Sequence, residues 1–109
     1  MEKTYSMDTA KNHFYNNVTH ELKLGPGAIN LGRADDNDIC VTEKSVSAFH
    51  ARIFTYFNTS YIEDLDSTNG TFLNDKKIHK HIIHPGDVIR LGNLSIKITD
   101  KDDWPFRYR

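Results

Sequence analysis

The chain reads as an all-β domain, an antiparallel sandwich or barrel of short strands. Three observations predict it. Apolar residues recur with period two: Val18, His20, Leu22 and Leu24 alternate with Thr19, Glu21 and Lys23, the pattern of a half-buried strand. Turn-forming clusters recur at short intervals, among them Gly25-Pro26-Gly27, Asp35-Asp36-Asn37, Asn58-Thr59-Ser60 and Pro85-Gly86-Asp87, each able to reverse an extended chain. No window long enough for an ordinary helix carries a 3.6-residue apolar repeat. Many short strands between regular turns, without helix, is the signature of a sandwich or barrel.

The first strand is the alternating segment through Leu24, closed by Gly25-Pro26-Gly27. Next come Ala28 to Leu31 and Ile39 to Val41, separated by the acidic turn at Asp35-Asp36-Asn37. His50 to Phe57 and Tyr61 to Leu65 flank the turn at Asn58 and form a hairpin pattern. The loop Ser67-Thr68-Asn69-Gly70 leads into FLNDKKI, itself interrupted at Asn74-Asp75, and Val88 to Leu91 with Leu94 to Thr99 form a last hairpin around Gly92-Asn93. The tail DKDDWPFRYR loses the alternation and contains Pro105; it is either a domain edge packed through Trp104 and Phe106 or the start of a connection.

At 109 residues the chain is one domain, residues 1–109, large enough to bury a core without disulfides or a structural metal. The lone Cys40 has no internal partner, and no run approaches an apolar membrane span or a signal-peptide core. A cytoplasmic protein is the expectation. The formal charge of −1 advertises neither nucleic acid nor membrane as a partner, although local clusters can still form in the fold. The N-x-S/T sequons at Asn17, Asn58, Asn69 and Asn93 are read as turn composition.

Function is sought in the loops, because sandwich strands build the scaffold. Four loop segments stand out: Gly32-Arg33 followed by Asn37-Asp38-Ile39; Ser47-x-x-His50; Asp64-x-x-Ser67-x-Asn69-Gly70-Thr71-Phe72-x-Asn74; and Gly86-Asp87-x-Ile89-x-Leu91-Gly92. In this order and spacing they closely resemble the forkhead-associated (FHA) domain, a phosphothreonine-peptide reader. The motif core covers about residues 29–98, and the flanks suit its first and last strands.

The resemblance implies an antiparallel β-sandwich of about eleven short strands with its binding loops at one end, and a non-catalytic module that recruits a partner phosphorylated by a Ser/Thr kinase, with no cofactor. It places Arg33 and Ser47 on the phosphate, Thr68 beside the phosphothreonine, and Asn69 on the ligand main chain. It also implies a small apolar pocket for the threonine γ-methyl, worth about 0.8 kcal/mol for one methyl. Gly32, His50, Gly70 and Asn74 become structural supports of the site. The chemistry of the residues agrees, since a phosphate wants planar, permanently charged donors such as Arg and short hydroxyls on rigid turns.

One position departs from the family. The residue after the motif Ser, often Arg, Lys or Asn, is Ala48, followed by Phe49. A missing charge-assisted donor weakens binding by about 1.5 to 3 kcal/mol, roughly tenfold to a hundredfold, unless Lys44 or Arg52 supplies one.

Other readings compete. A phospho-independent scaffold or dimerisation module keeps the fold and drops the phosphate, using an apolar patch around Phe49, Tyr56 or the tail aromatics. His79, His81 and His84 have a spacing that could hold a metal with Asp75 or Asp87; a solvated edge explains them as well, and no metal is expected. Ser47, His50 and Asp64 supply the residue types of a catalytic triad, but no G-x-S-x-G elbow accompanies them, and no enzyme activity is expected.

Overall fold

A computed structural model describes residues 12–15 and 20–99. The described residues form eleven strands and no helix: β1 (Asn12–Tyr15), β2 (His20–Lys23), β3 (Gly27–Gly32), β4 (Ile39–Thr42), β5 (Ala51–Tyr56), β6 (Thr59–Asp64), β7 (Thr71–Leu73), β8 (Lys76–Ile78), β9 (Lys80–Ile83), β10 (Val88–Leu91) and β11 (Leu94–Thr99). They divide into a six-stranded sheet, β1-β4-β3-β5-β6-β9, and a five-stranded sheet, β2-β11-β10-β7-β8.

The sandwich is mixed rather than wholly antiparallel. The hairpin pairs are antiparallel, as the turn signals require, whereas β1 with β4, β3 with β4 and β2 with β11 run parallel. Period-two patterning reports which face a residue takes but carries no information on neighbour direction. The β3 to β4 pairing is only two residues long, Leu31 with Ile39 and Gly32 with Cys40, because the chain loops through 33–38 before resuming its direction.

The inward side chains of both sheets interleave in one core. Leu31, Val41, Ile62, Leu91, Ile96 and Ile98 are fully buried, each such side chain contributing about 1.5 to 3 kcal/mol over its exposed state. In β11 the alternation is complete: Leu94, Ile96 and Ile98 face in, Ser95 and Lys97 face out. Ile39, Cys40 and Val41 are all buried because β4 lies inside the sheet between β1 and β3.

Two strands escaped the sequence pattern. β1 carries no clean alternation, and β9 reads as charged, with Lys80, His81 and Ile82 exposed on a sheet edge. The segment FLNDKKI divides into β7 and β8 around Asn74 (φ 50°) and Asp75 (φ 72°), the doubly left-handed turn that suits the right-handed twist of a hairpin. The expectations for Val18, Thr19, Asn17 and the tail with Trp104, Pro105 and Phe106 lie outside the described residues.

Candidate functional site

Four connections meet at one end of the sandwich: 33–38 after β3, 43–50 after β4, 65–70 after β6, and 92–93 between β10 and β11. Backbone bonds dock the first two together. Arg33 N donates to Ser47 O at 2.9 Å and Ala34 N to Ala48 O at 3.0 Å. Asn37, 1% exposed, fills the first loop, its Nδ2 donating to Ala34 O at 2.9 Å and Ala48 O at 2.7 Å. This closeness needs a glycine at position 32, where a Cβ would lie 2.2 Å from Ala48 O.

His50 joins the second loop to the third. It is fully buried; its Nδ1 accepts from Ser47 N at 3.1 Å, and Nε2 lies 2.9 Å from Gly70 O. A backbone N–H can only meet an unprotonated ring nitrogen, and a carbonyl only a protonated one, so the ring is the neutral Nε2–H tautomer. Burial lowers its pKa from the ordinary value; the Gly70 carbonyl and nearby Asp64 pull the other way without offsetting it. His50 N also donates to Leu31 O, and its carbonyl accepts from Leu65 N, each at 2.9 Å.

Asp64 organises the third loop. Its Oδ1 accepts from Ser67 Oγ at 2.5 Å and Thr71 Oγ1 at 2.6 Å, and Oδ2 from Ser67 N at 3.2 Å. Partial burial would raise its pKa, but these hydrogen bonds, with His50 nearby, outweigh that and hold the carboxyl below its usual range. Ser67 Oγ in turn accepts from Gly70 N at 3.0 Å, so Ser67 caps the turn. Left-handed geometry falls on Asp66 (φ 58°) and Gly70 (φ 92°), while Asn69 is not among the left-handed residues.

The framework leaves a specific set of groups outward. Arg33 is exposed; its Nε donates to Val46 O at 2.7 Å, which fixes the guanidinium while its η nitrogens keep no partner among the described residues. Ser47 Oγ accepts from Thr68 N at 3.0 Å and retains its own proton. Thr68 and Asn69 are exposed; Asn69 Nδ2 donates to Ser45 O at 2.8 Å, leaving Oδ1 and one N–H outward. Arg33, Ser47, Thr68 and Asn69 are thereby linked at one edge, with Gly32, His50 and Gly70 beneath them. Asn74 is not with them. It lies at the far end of β7, where Nδ2 donates to Asp87 Oδ1 at 3.0 Å and Oδ1 accepts from Val88 N at 2.9 Å, holding the β7–β8 hairpin to β10.

Sequence reasoning gave no role to Ser45, whose Oγ donates to Glu43 Oε2 at 2.9 Å and accepts from Asn93 N at 2.8 Å, tying the fourth loop to the carbonyl that Asn69 uses. Nor did it anticipate that Ala48 serves through its carbonyl. Arg52 supplies no substitute donor at this loop edge: its Nη2 pairs with Glu63 Oε1 at 3.3 Å and its guanidinium lies over Phe54. Lys44 remains exposed.

The competing sites do not assemble. Ser47 meets His50 through its backbone N–H, not its hydroxyl, and Nε2 of His50 faces a carbonyl, so the set has no nucleophile–base contact. His79, His81 and His84 are separately exposed, and among the described residues no three His, Cys, Asp or Glu side chains converge as a metal set would. No helix among the described residues is long and apolar enough to cross a membrane.

Fold and loops together define a β-sandwich recognition domain whose outward donors suit a phosphate. The FHA domain family model matches residues 29–92, and the chain belongs to that family. It is 38% identical over 78 residues to the ABC transporter ATP-binding/permease protein Rv1747 of Mycobacterium tuberculosis, covering 72% of this chain and 9% of that protein. It is 36% identical over 78 residues to FHA domain-containing protein FhaB of Mycolicibacterium smegmatis, covering 71% of this chain and 50% of that one. The chain thus spans half or less of these relatives.

Among solved structures, the FHA-2 domain of Rv1747 superposes with a TM-score of 0.63 at 37% identity, covering 74% of this chain and 75% of that one. Mycobacterium tuberculosis EmbR in complex with a low affinity phosphopeptide gives 0.64 at 32% identity, covering 68% and 20%.

Proposed function

We propose that this chain is a non-catalytic, phosphothreonine-dependent peptide-binding module that recruits a partner phosphorylated by a Ser/Thr kinase. The observation that carries the reading is the state of Arg33. Its Nε is spent on Val46 O, so the side chain is ordered before ligand arrives, and its η nitrogens stay without a partner among the described residues in a loop bonded through its backbone to Ser47. A phosphate of about −1.5 to −2 charge at pH 7 accepts from such a preset fork at little reorganisation cost. That the similar Mycobacterium tuberculosis EmbR forms a complex with a low affinity phosphopeptide supports a phosphopeptide as the ligand class.

Asn69 is held through one amide proton, so its carbonyl oxygen and second N–H remain to pair with a ligand main chain and set its register. The neutral, enclosed His50 braces the loops and takes no part in chemistry. The reader must share a compartment with the modifying kinase, and the cytoplasm is the compartment we propose for both.

Titration with a degenerate phosphothreonine peptide library, with phosphoserine and unphosphorylated controls, tests the reading. Binding is expected for phosphothreonine, and equal binding of all three refutes it. Arg33→Ala is expected to cost about 2 kcal/mol or more of peptide affinity with the fold intact; unchanged affinity would relocate the site.

A further inference from the structure

The outer face of the five-stranded sheet is basic, although the chain as a whole carries a formal charge of −1. Strand register places Lys77 beside Phe72, Phe72 beside Arg90, Lys97 beside Glu21, and Lys23 beside Thr99, and alternation turns all of them away from the core. Among the described residues, four cations thus share a face with one carboxylate, Glu21. None of the four has an ion-pair partner among the described residues; Arg90 lies over the Phe72 ring at 4.1 Å.

This face is continuous with the phosphate edge. Gly92 N donates to Gly70 O at 3.4 Å, and Arg90 Nη1 donates to Gly92 O at 2.9 Å. The Lys77 side chain crosses toward the same rim, its Cε 3.0 Å from where a Cβ of Gly70 would sit. Asn69, which leads toward that rim through Ser45 and Asn93, is the residue suited to hold a ligand main chain. The opposite side of the site is acidic: Asp35, Asp36 and Asp38 are exposed in the loop that carries Arg33. The domain therefore presents a charge gradient across its own ligand site.

We propose that the face bearing Lys77, Arg90, Lys97 and Lys23 binds an acidic segment flanking the phosphothreonine of the same partner, on the side where the ligand passes Asn69. The proposal rests on the phosphothreonine reading above and adds a specificity surface to it. Several solvated, unpaired cations on a rigid sheet give orientation and a faster encounter with an acidic chain, each exposed pair adding modestly to affinity. Such a surface offsets part of what the uncharged Ala48 withholds from the phosphate itself.

The test compares three phosphothreonine peptides, with neutral flanks, with Asp and Glu placed before the phosphothreonine, and with Asp and Glu placed after it. Binding is read by fluorescence anisotropy to the full chain and to a Lys77→Glu, Lys97→Glu double variant. One acidic arrangement is expected to bind about fivefold to tenfold tighter than the neutral peptide at low salt, with the gain gone near about 1 M salt. The double variant should abolish that gain and keep most of the neutral peptide's affinity. A gain that is absent, or that survives the double variant, overturns the proposal. So does binding of single-stranded nucleic acid or anionic vesicles that the double variant removes when no acidic-flank gain exists. Failure of every phosphopeptide, neutral included, to bind the unmodified chain would instead overturn the phosphothreonine reading and this surface with it.

Discussion

Gly32→Ala puts one methyl group between two loops that the site needs in contact. The added Cβ would lie 2.2 Å from Ala48 O and 2.8 Å from Asn37 Nδ2. Ordinary contact begins near 3.4 Å, so the loops must part by roughly 1.2 Å. The displaced carbonyl is the one that accepts from Ala34 N at 3.0 Å and Asn37 Nδ2 at 2.7 Å. Two part-buried hydrogen bonds at about 0.5 to 1.5 kcal/mol each, with about 1 to 3 kcal/mol of overpacking strain, give a destabilisation of roughly 2 to 6 kcal/mol.

That is a large share of the ~5 to 15 kcal/mol that holds a domain of this size folded. Urea denaturation followed by far-UV circular dichroism measures it. Gly25→Ala is the control: nothing lies within 4 Å of the added Cβ and the backbone there is not left-handed, so its effect should stay within about 0.5 kcal/mol. Peptide titration of whatever Gly32→Ala protein folds should show weakened binding, because Arg33 follows the displaced residue directly. A Gly32→Ala stability within about 0.5 kcal/mol of the parent would refute the tight docking of the two loops and the positioning of Arg33 built on it.

Three more expectations concern His50, Asp64 and Asn74. His50 is held neutral in the fold, so its contribution to stability is complete above the unfolded value of 6.5 and declines as pH falls, since only the unfolded chain then gains the proton freely. NMR should show its imidazole staying the neutral Nε2–H tautomer as pH falls through 6.5; a His50 that gains its proton there would contradict the assigned tautomer. Asp64, whose pKa is depressed, contributes stability above the unfolded value of 3.8 that is lost below it, and Asp64→Asn should lower the urea midpoint and remove that acid limb. Asn74→Ala should destabilise by about 1 to 3 kcal/mol through its left-handed φ and two lost bonds, yet leave phosphopeptide affinity unchanged; a parallel loss of affinity would show that the far hairpin does brace the loops.

The sequence exposed the fold where physics is local and hid it where it is not. Alternation in Leu94 to Thr99 and the turn at Asn74-Asp75 arise within a few residues, so both were legible. The parallel pairing of β2 with β11 joins residues such as Leu22 and Ile98, and no local pattern encodes which distant strand becomes a neighbour. β9 was illegible for the opposite reason: an edge strand keeps charge and histidine on view, as edges do to discourage further pairing, and so resembles a loop. At the site, the residues that face outward were readable as motif positions. The bonds that hold them were not, because Ser45 and Asn37 act across loops and Ala48 acts through a carbonyl that every residue type possesses.

Hydrogen-bond accounting then separates what holds the site from what reads a ligand. Asp64, Ser67 and the ring of His50 spend their polar atoms inside the loops. Arg33, Ser47 and Asn69 each spend one group internally and keep another. A residue anchored at one atom and unsatisfied at the next is ordered without being saturated, which lets an anion gain its hydrogen bonds with little further entropy cost. Ala48 fits the same logic. Its carbonyl already accepts two bonds that fix the Arg33 loop, so the position serves its structural purpose with any side chain, and loss of a charged one there subtracts a contact without loosening those that remain. A contact missing at Ala48 can be supplied elsewhere on the surface, and the five-stranded sheet, joined to the rim beside Asn69 through Gly92 and Gly70, presents exposed lysines for it.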